Sequence, residues 1–87
     1  MAAFRIEWKK SALKELRRLD RSAIPPIVRA VEFLAADPLP PGVRQLKGGA
    51  HSYRIRAGDY RIIYTVFQHL LVVTIIRVRH RKDAYRT

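Results

Sequence analysis

The stretch Ser52-Tyr-Arg-Ile-Arg-Ala-Gly-Asp-Tyr-Arg-Ile-Ile-Tyr-Thr-Val-Phe67 decides how this chain folds. Residues 52–57 alternate as a half-buried strand does, Gly58-Asp59 has the composition of a two-residue hairpin turn, and residues 60–67 form a second extended run. A two-residue turn sets Ala57 opposite Tyr60, Arg56 opposite Arg61 and Ile55 opposite Ile62. Side chains two apart in a strand share a face. Arg54, Arg56 and Arg61 therefore project together, and Tyr53, Ile55, Ile62 and Tyr64 point the other way, into a core. Three like charges on neighbouring strands repel one another, and a bound polyanion relieves that cost.

The rest of the chain is read outward from this hairpin. Downstream, Gln68-His69 is the next expected turn and Leu70 to Val78 the longest strand. Carrying the pairing across that turn sets Arg61 opposite Ile76 and places His80 on the arginine face. Upstream, Gly48-Gly49 breaks the chain, Val43 to Lys47 runs extended as a short edge, and Pro38 to Gly42 is a stiff connector. Asp37-Pro38 ends a helix, because the residue before proline resists the α conformation. That helix starts near Ala23 to Pro25, since Pro25 and Pro26 fit only a first helical turn. Its apolar face is Ile27, Val28, Val31, Leu34 and Ala35. Before it, Ser11 to Asp20 has helical spacing with Leu13, Leu16 and Leu19 as the stripe. Phe4 to Trp8 alternates as a strand. The order is β-α-α-β-β-β, an α+β fold in which a helical hairpin packs on one face of a mainly antiparallel sheet. Residues 1–87 are expected to form one domain.

Composition narrows the function. The chain has 87 residues, 48% of them hydrophobic, which suffices for one modest core. It has no cysteine, which excludes disulfides and thiolate metal sites and fits a reducing cytosol. Arg5, Glu7, Lys9 and Lys10 interrupt any signal-like run, and the apolar stretch from Leu70 is too short to span a bilayer. The expectation is a cytoplasmic protein without a membrane partner. Lys and Arg number 18 against 7 Asp and Glu, for a net charge of +11. Residues 1–37 carry +3 of this and residues 38–87 carry +8, so the excess sits with the strands. Most of it is arginine, whose fork matches phosphate. A single strand arginine is usually just solvated. Three on one face, followed by Arg77, Arg79, Arg81, Lys82 and Arg86, point to a polyanion. No His, Asp and Glu spacing suits a metal, and Gly48-Gly49 lacks the frame of a nucleotide-binding loop. What remains is a reaction without metal or cofactor, carried by arginine, histidine and tyrosine.

Several runs resemble the RelE branch of the RelE/ParE toxin superfamily. They are Lys10-Ser-Ala-Leu-Lys-Glu-Leu-Arg-Arg-Leu19, Leu46-Lys-Gly-Gly49, Tyr53-Arg-Ile-Arg56, Gly58-Asp-Tyr-Arg-Ile-Ile-Tyr64 and Val78-Arg-His-Arg-Lys-Asp-Ala-Tyr-Arg86. The resemblance covers nearly the whole chain in length and element order. It implies a toxin of a type II toxin–antitoxin pair that enters the ribosomal A site and cleaves mRNA there. The RNA's own 2′-hydroxyl is the nucleophile, and the products are a cyclic phosphate and a 5′-hydroxyl. By the same resemblance Arg61 steadies the scissile phosphate, Arg81 is the second catalytic arginine, and Tyr85 stacks on the substrate base. Arg54 and Arg56 stand where studied members have lysines, and Lys47 where a basic residue holds mRNA; Arg79, where many relatives have glycine, and Lys82 add to the RNA-binding charge. Arginine keeps the charge but does not serve as a general base. His80, beside Arg81, is then the candidate for proton transfer. The implied partners are a cognate antitoxin, in a hetero-oligomeric complex, and the ribosome with its mRNA. The alternatives are a ParE-like inhibitor of DNA gyrase and a relative that binds antitoxin but has lost catalysis.

Overall fold

The computed structural model of the chain describes residues 3–82. Its elements are β1 (Arg5–Trp8), α1 (Lys10–Arg17), α2 (Ile24–Phe33), β2 (Arg44–Gln45), β3 (Ser52–Ala57), β4 (Tyr60–Phe67) and β5 (Val72–His80). The five strands form one sheet in the order β1-β5-β4-β3-β2. β1 runs parallel to β5 and every other pair is antiparallel. The expected α+β order is present, and the short edge expected over 43–47 is the two-residue β2.

The helices cover one face of the sheet. α1 contributes Ala12 and Leu16, and α2, with the residue that follows it, contributes Ile27, Val31 and Leu34. They meet Ile55, Ile62, Tyr64, Val66, Val73, Ile75 and Val78 of β3, β4 and β5. On α1 the fully buried position is Ala12, while Leu13 and Leu19 of the expected stripe are only half-buried. Pro25 and Pro26 sit in the first turn of α2, where a missing N–H costs no helical bond. α2 ends at Phe33, before Asp37-Pro38, in a turn whose Ala35 carbonyl accepts the Phe4 N–H at 2.8 Å.

The β3–β4 hairpin has the register its turn dictates: Ala57 opposite Tyr60, Arg56 opposite Arg61, Ile55 opposite Ile62. Gly58, at φ 62°, supplies the left-handed conformation that a two-residue turn needs. The β4–β5 hairpin departs from expectation in two ways. Its connection is four residues long, 68–71, and Phe67 pairs with Val72. The register then slips between Ile63, opposite Arg77, and Tyr64, opposite Ile75, so Ile76 is the extra residue of a β-bulge.

The bulge has a packing cause. Ile75 and Val78 are three apart yet both buried against the helices. A regular strand would put them on opposite faces, turning Arg77 and Arg79 into the core whenever Ile75 pointed there. One extra residue lets both apolar side chains face inward and both arginines face outward. The longer connection and the bulge together set Arg61 opposite Arg79, not Ile76. His80 pairs with Tyr60, so it lies on the face of Tyr60, Ile62 and Val78 and not on the arginine face.

Candidate nucleic-acid interface

On the face away from the helices, Arg56, Arg61 and Arg79 stand in register on β3, β4 and β5. Neighbouring strands lie about 4.8 Å apart, so this is a row of three guanidinium-bearing side chains across the middle of the sheet. The three differ in exposure. Arg56 is exposed, Arg79 is half-buried, and Arg61, on the central strand, is only 6% exposed. Arg61 is the one charged residue in the buried set among the described residues.

Beyond β5 the chain turns toward the tip of the β3–β4 hairpin. The Arg81 N–H donates to the Asp59 carbonyl at 2.6 Å, which fixes the start of the C-terminal segment against the Gly58-Asp59 turn. A cavity of about 50 Å³ results, lined by Arg56, Gly58, Asp59, Tyr60, Arg61 and Arg81. Among the described residues Asp59 is the lone carboxylate in that lining. An adjoining open cleft is lined by Asp59, His80, Arg81 and Lys82. There the His80 ring stands edge-on to Tyr60, with centroids 5.2 Å apart, and its Nδ1 accepts the Lys82 N–H at 3.1 Å.

The expected site residues are thus partly assembled and partly dispersed. Arg56, Arg61 and Arg81 share one cavity, Arg79 extends the row, and His80 and Lys82 lie around the corner from it. Arg54 pairs with Ile63 and Arg44 and lines a wider groove of about 480 Å³ between α2, the 40–42 connector and β3. Arg56 borders both the groove and the small cavity. Lys47 is exposed beyond β2, where the Leu46 N–H bonds the Ser52 carbonyl. It is at the opposite end of β3 from the cavity, roughly 13 Å away along the strand. Tyr85 lies outside the described residues.

Two residues at the site carried no role in the sequence reading. Tyr60 places its ring against His80. Glu15, on α1, reaches the last strand: its Oε1 accepts the Val78 N–H at 3.0 Å and its Oε2 stands 3.6 Å from Arg79 Nε. The signal for Glu15 was its isolation as an acid between Lys14 and Arg17-Arg18, but only the tertiary fold shows which arginine it meets. Among the described residues no three His, Cys, Asp or Glu side chains converge as a metal site. No helix among them is long and apolar enough to cross a membrane.

A guanidinium row that ends in a cavity at a hairpin tip, on a helix-backed sheet of order β1-β5-β4-β3-β2, defines a class that comparison with known proteins identifies. The family model described as "ParE toxin of type II toxin-antitoxin system, parDE" matches residues 6–85. The chain belongs to the RelE/ParE superfamily of type II toxins. Within it the named relatives are RelE-like. The chain is 30% identical over 86 residues to a putative toxin RelE1 of Methanocaldococcus jannaschii, covering 95% of this chain and 96% of that one. It is 36% identical over 75 residues to toxin RelG of Mycobacterium tuberculosis, covering 79% and 86%. Its fold matches the archaeal RelE–RelB complex of Pyrococcus horikoshii with a TM-score of 0.81 and 28% identity, over 91% of this chain and 96% of that one. It also matches a mutant of Escherichia coli toxin RelE in the free state, with a TM-score of 0.76 and 27% identity over 99% and 90%.

Proposed function

We propose that this toxin is an mRNA endoribonuclease that acts in the ribosomal A site, without metal, and is neutralised by a cognate antitoxin. The observation that carries the reading is the convergence of Arg56, Arg61 and Arg81 on one cavity, with Arg79 next to Arg61 in the row. Attack of a 2′-hydroxyl oxygen on the adjacent phosphorus forms the cyclic phosphate and breaks the bond to the 5′-oxygen. The 2′-hydroxyl loses a proton and the departing 5′-oxygen gains one. Charge gathers on the non-bridging oxygens meanwhile, and preorganised guanidinium groups stabilise it. Arg61 is the best placed of them: held on the central strand and shielded from water, it needs little reorganisation and acts through a lower local dielectric.

Other residues take supporting roles. Arg54, in the groove that shares Arg56 with the cavity, and Lys82, in the adjoining cleft, hold the flanking strand, and Lys47 serves a more distant phosphate. Tyr85 stacks on an unstacked base and orients it for in-line attack. His80 is the proton-transfer candidate, working from the cleft it shares with Asp59 and Arg81. A toxin of +11 net charge suits an acidic antitoxin segment that folds on binding and covers the arginine face. The solved complexes of RelE with RelB that share the fold support such a partner.

Primer extension on mRNA in a translating extract tests the reading. Cuts at codon positions are expected, and Arg61→Ala or Arg81→Ala abolishes them. His80→Gln lowers the single-turnover rate by roughly 10²-fold or more where His80 transfers the proton; an unchanged rate and pH profile removes it from the mechanism. The ParE description of the matching family model favours a second reading, inhibition of DNA gyrase. Intact mRNA with arrested supercoiling would establish that one instead.

A further inference from the structure

β1 covers the outer edge of β5 only as far as Ile75, which pairs with Trp8 and accepts the Lys9 N–H at 3.0 Å. From there to His80 no strand among the described residues lies beside the edge, and α1 takes the place of one. Glu15 is the side chain that does so. One oxygen of its carboxylate, Oε1, accepts the Val78 N–H, and the other, Oε2, faces Arg79 Nε at 3.6 Å and Arg77 Nη1 at 3.9 Å. Both arginines belong to the outward face that holds Arg61, since Arg77 pairs with Ile63 and Arg79 with Arg61. The carboxylate is therefore fixed to the backbone at one end and bracketed by two guanidinium groups at the other.

We propose that Glu15 is a positioning residue: it sets where the Arg79 guanidinium stands in the phosphate-binding row, a role that rests on the ribonuclease reading above. The contact is made by Nε, on the stem side of the guanidinium, so Glu15 does not take up the two terminal nitrogens that a phosphate fork would use. It also places a negative charge at the outer end of a row in which Arg56, Arg61 and Arg79 would otherwise repel one another. Because its backbone partner is Val78, the residue between the two arginines, the same group locks the end of β5 and the side chain beside it. A shift of about 1 Å in such a group is enough to slow a reaction by up to roughly 10²-fold.

Glu15→Gln separates this role from a purely structural one. Glutamine still accepts the Val78 N–H but carries no charge for Arg79, so the thermal midpoint should stay within a few degrees of the parent. The expected kinetic result is a single-turnover rate on programmed ribosomes lowered about 10-fold, with no rise in KM, because a negative charge near the RNA has gone. In an Arg79→Ala background the same change should alter the rate less than about two-fold, whereas in an Arg77→Ala background its full effect should remain. An unchanged rate in Glu15→Gln, or an equal effect with and without Arg79, overturns the proposal. A second readout does not need cleavage: the ¹⁵N-detected Arg79 Nε–H resonance of the whole toxin should move in Glu15→Gln while that of Arg56 stays. A parent protein that leaves mRNA intact would end the ribonuclease reading alone. The Arg79 resonance would then still decide the positioning, its movement supporting it and its constancy refuting it.

Discussion

The two hairpins that share β4 are built on different rules. The β3–β4 hairpin turns in two residues and keeps an unbroken register, which lays Arg56 beside Arg61 directly. The β4–β5 hairpin needs four residues to turn and gains a bulge at Ile76 before it lays Arg79 beside Arg61. The first hairpin is governed by local turn chemistry, and the second by what the helices require to be buried. Both end with an arginine facing outward on the strand next to Arg61. The row is thus fixed by one short-range and one long-range constraint, and each can be broken separately.

The largest expected effect comes from the residue on which both hairpins converge. Arg61→Ala should lower mRNA cleavage by roughly 10²- to 10³-fold, the loss seen when one preorganised charge-stabilising donor is removed; a deficit under ten-fold would show that the row is not the phosphate clamp. Next comes Val78→Ala, which empties the inward position just past the bulge, a side chain only 2% exposed; urea denaturation should show a loss of about 2–3 kcal/mol. The β3–β4 turn is less costly to disturb. Gly58→Ala forces a Cβ into φ 62°, where nothing lies within 4 Å of the new atom, so the backbone term alone applies, about 1–2 kcal/mol.

The smallest effect is at Tyr64, on the inward face that both hairpins share. Its hydroxyl donates to the Pro38 carbonyl at 2.7 Å, and Tyr64→Phe should cost about 1 kcal/mol in the same denaturation assay. Burial pushes this hydroxyl well above the usual tyrosine range, with Tyr53 and Asp37 adding to the rise. Below about pH 10 both folded and unfolded states hold the proton, and the group adds no pH dependence. Above that the unfolded state ionises first, so stability falls as pH rises, by at most about 1.4 kcal/mol per pH unit from this group. Tyr64→Phe should fall less steeply over that interval, and equal slopes would mean that the alkaline loss comes from other groups.

The contrast between the hairpins also marks what could be read from sequence. Gly58-Asp59 and the alternation around it carried the β3–β4 register, because turn composition and strand parity are local properties. The α+β order and the start of α2 near Pro25-Pro26 were legible for the same reason, whereas α2 stops at Phe33, before the Asp37-Pro38 that was expected to end it. The β4–β5 register was not. Gln68-His69 looks like a turn, but the connection also takes Leu70 and Leu71, the latter at φ 53° with no glycine to announce it. The bulge left a trace that regular pairing ignores: the inward apolar positions change phase between Ile75 and Val78. Misreading it moved His80 to the wrong face and hid the pairing of Arg79 with Arg61. Nor could any pattern along the chain foretell that Arg61 is buried while Arg56 is exposed, or that Glu15 meets Arg79, since both depend on elements far apart in sequence.

The hydrogen bond from Lys82 N–H to His80 Nδ1 has a chemical consequence. A neutral imidazole carries one hydrogen, and a ring that accepts at Nδ1 must carry it on Nε2. While the Arg81-Lys82 turn is closed, His80 therefore presents a donor to the cleft and meets an anion as an N–H group. For Nε2 to collect a proton, the hydrogen must first move to Nδ1, where it would confront the Lys82 N–H, so the turn has to open. The tautomer of one ring is thereby tied to the shape of the chain two residues further on.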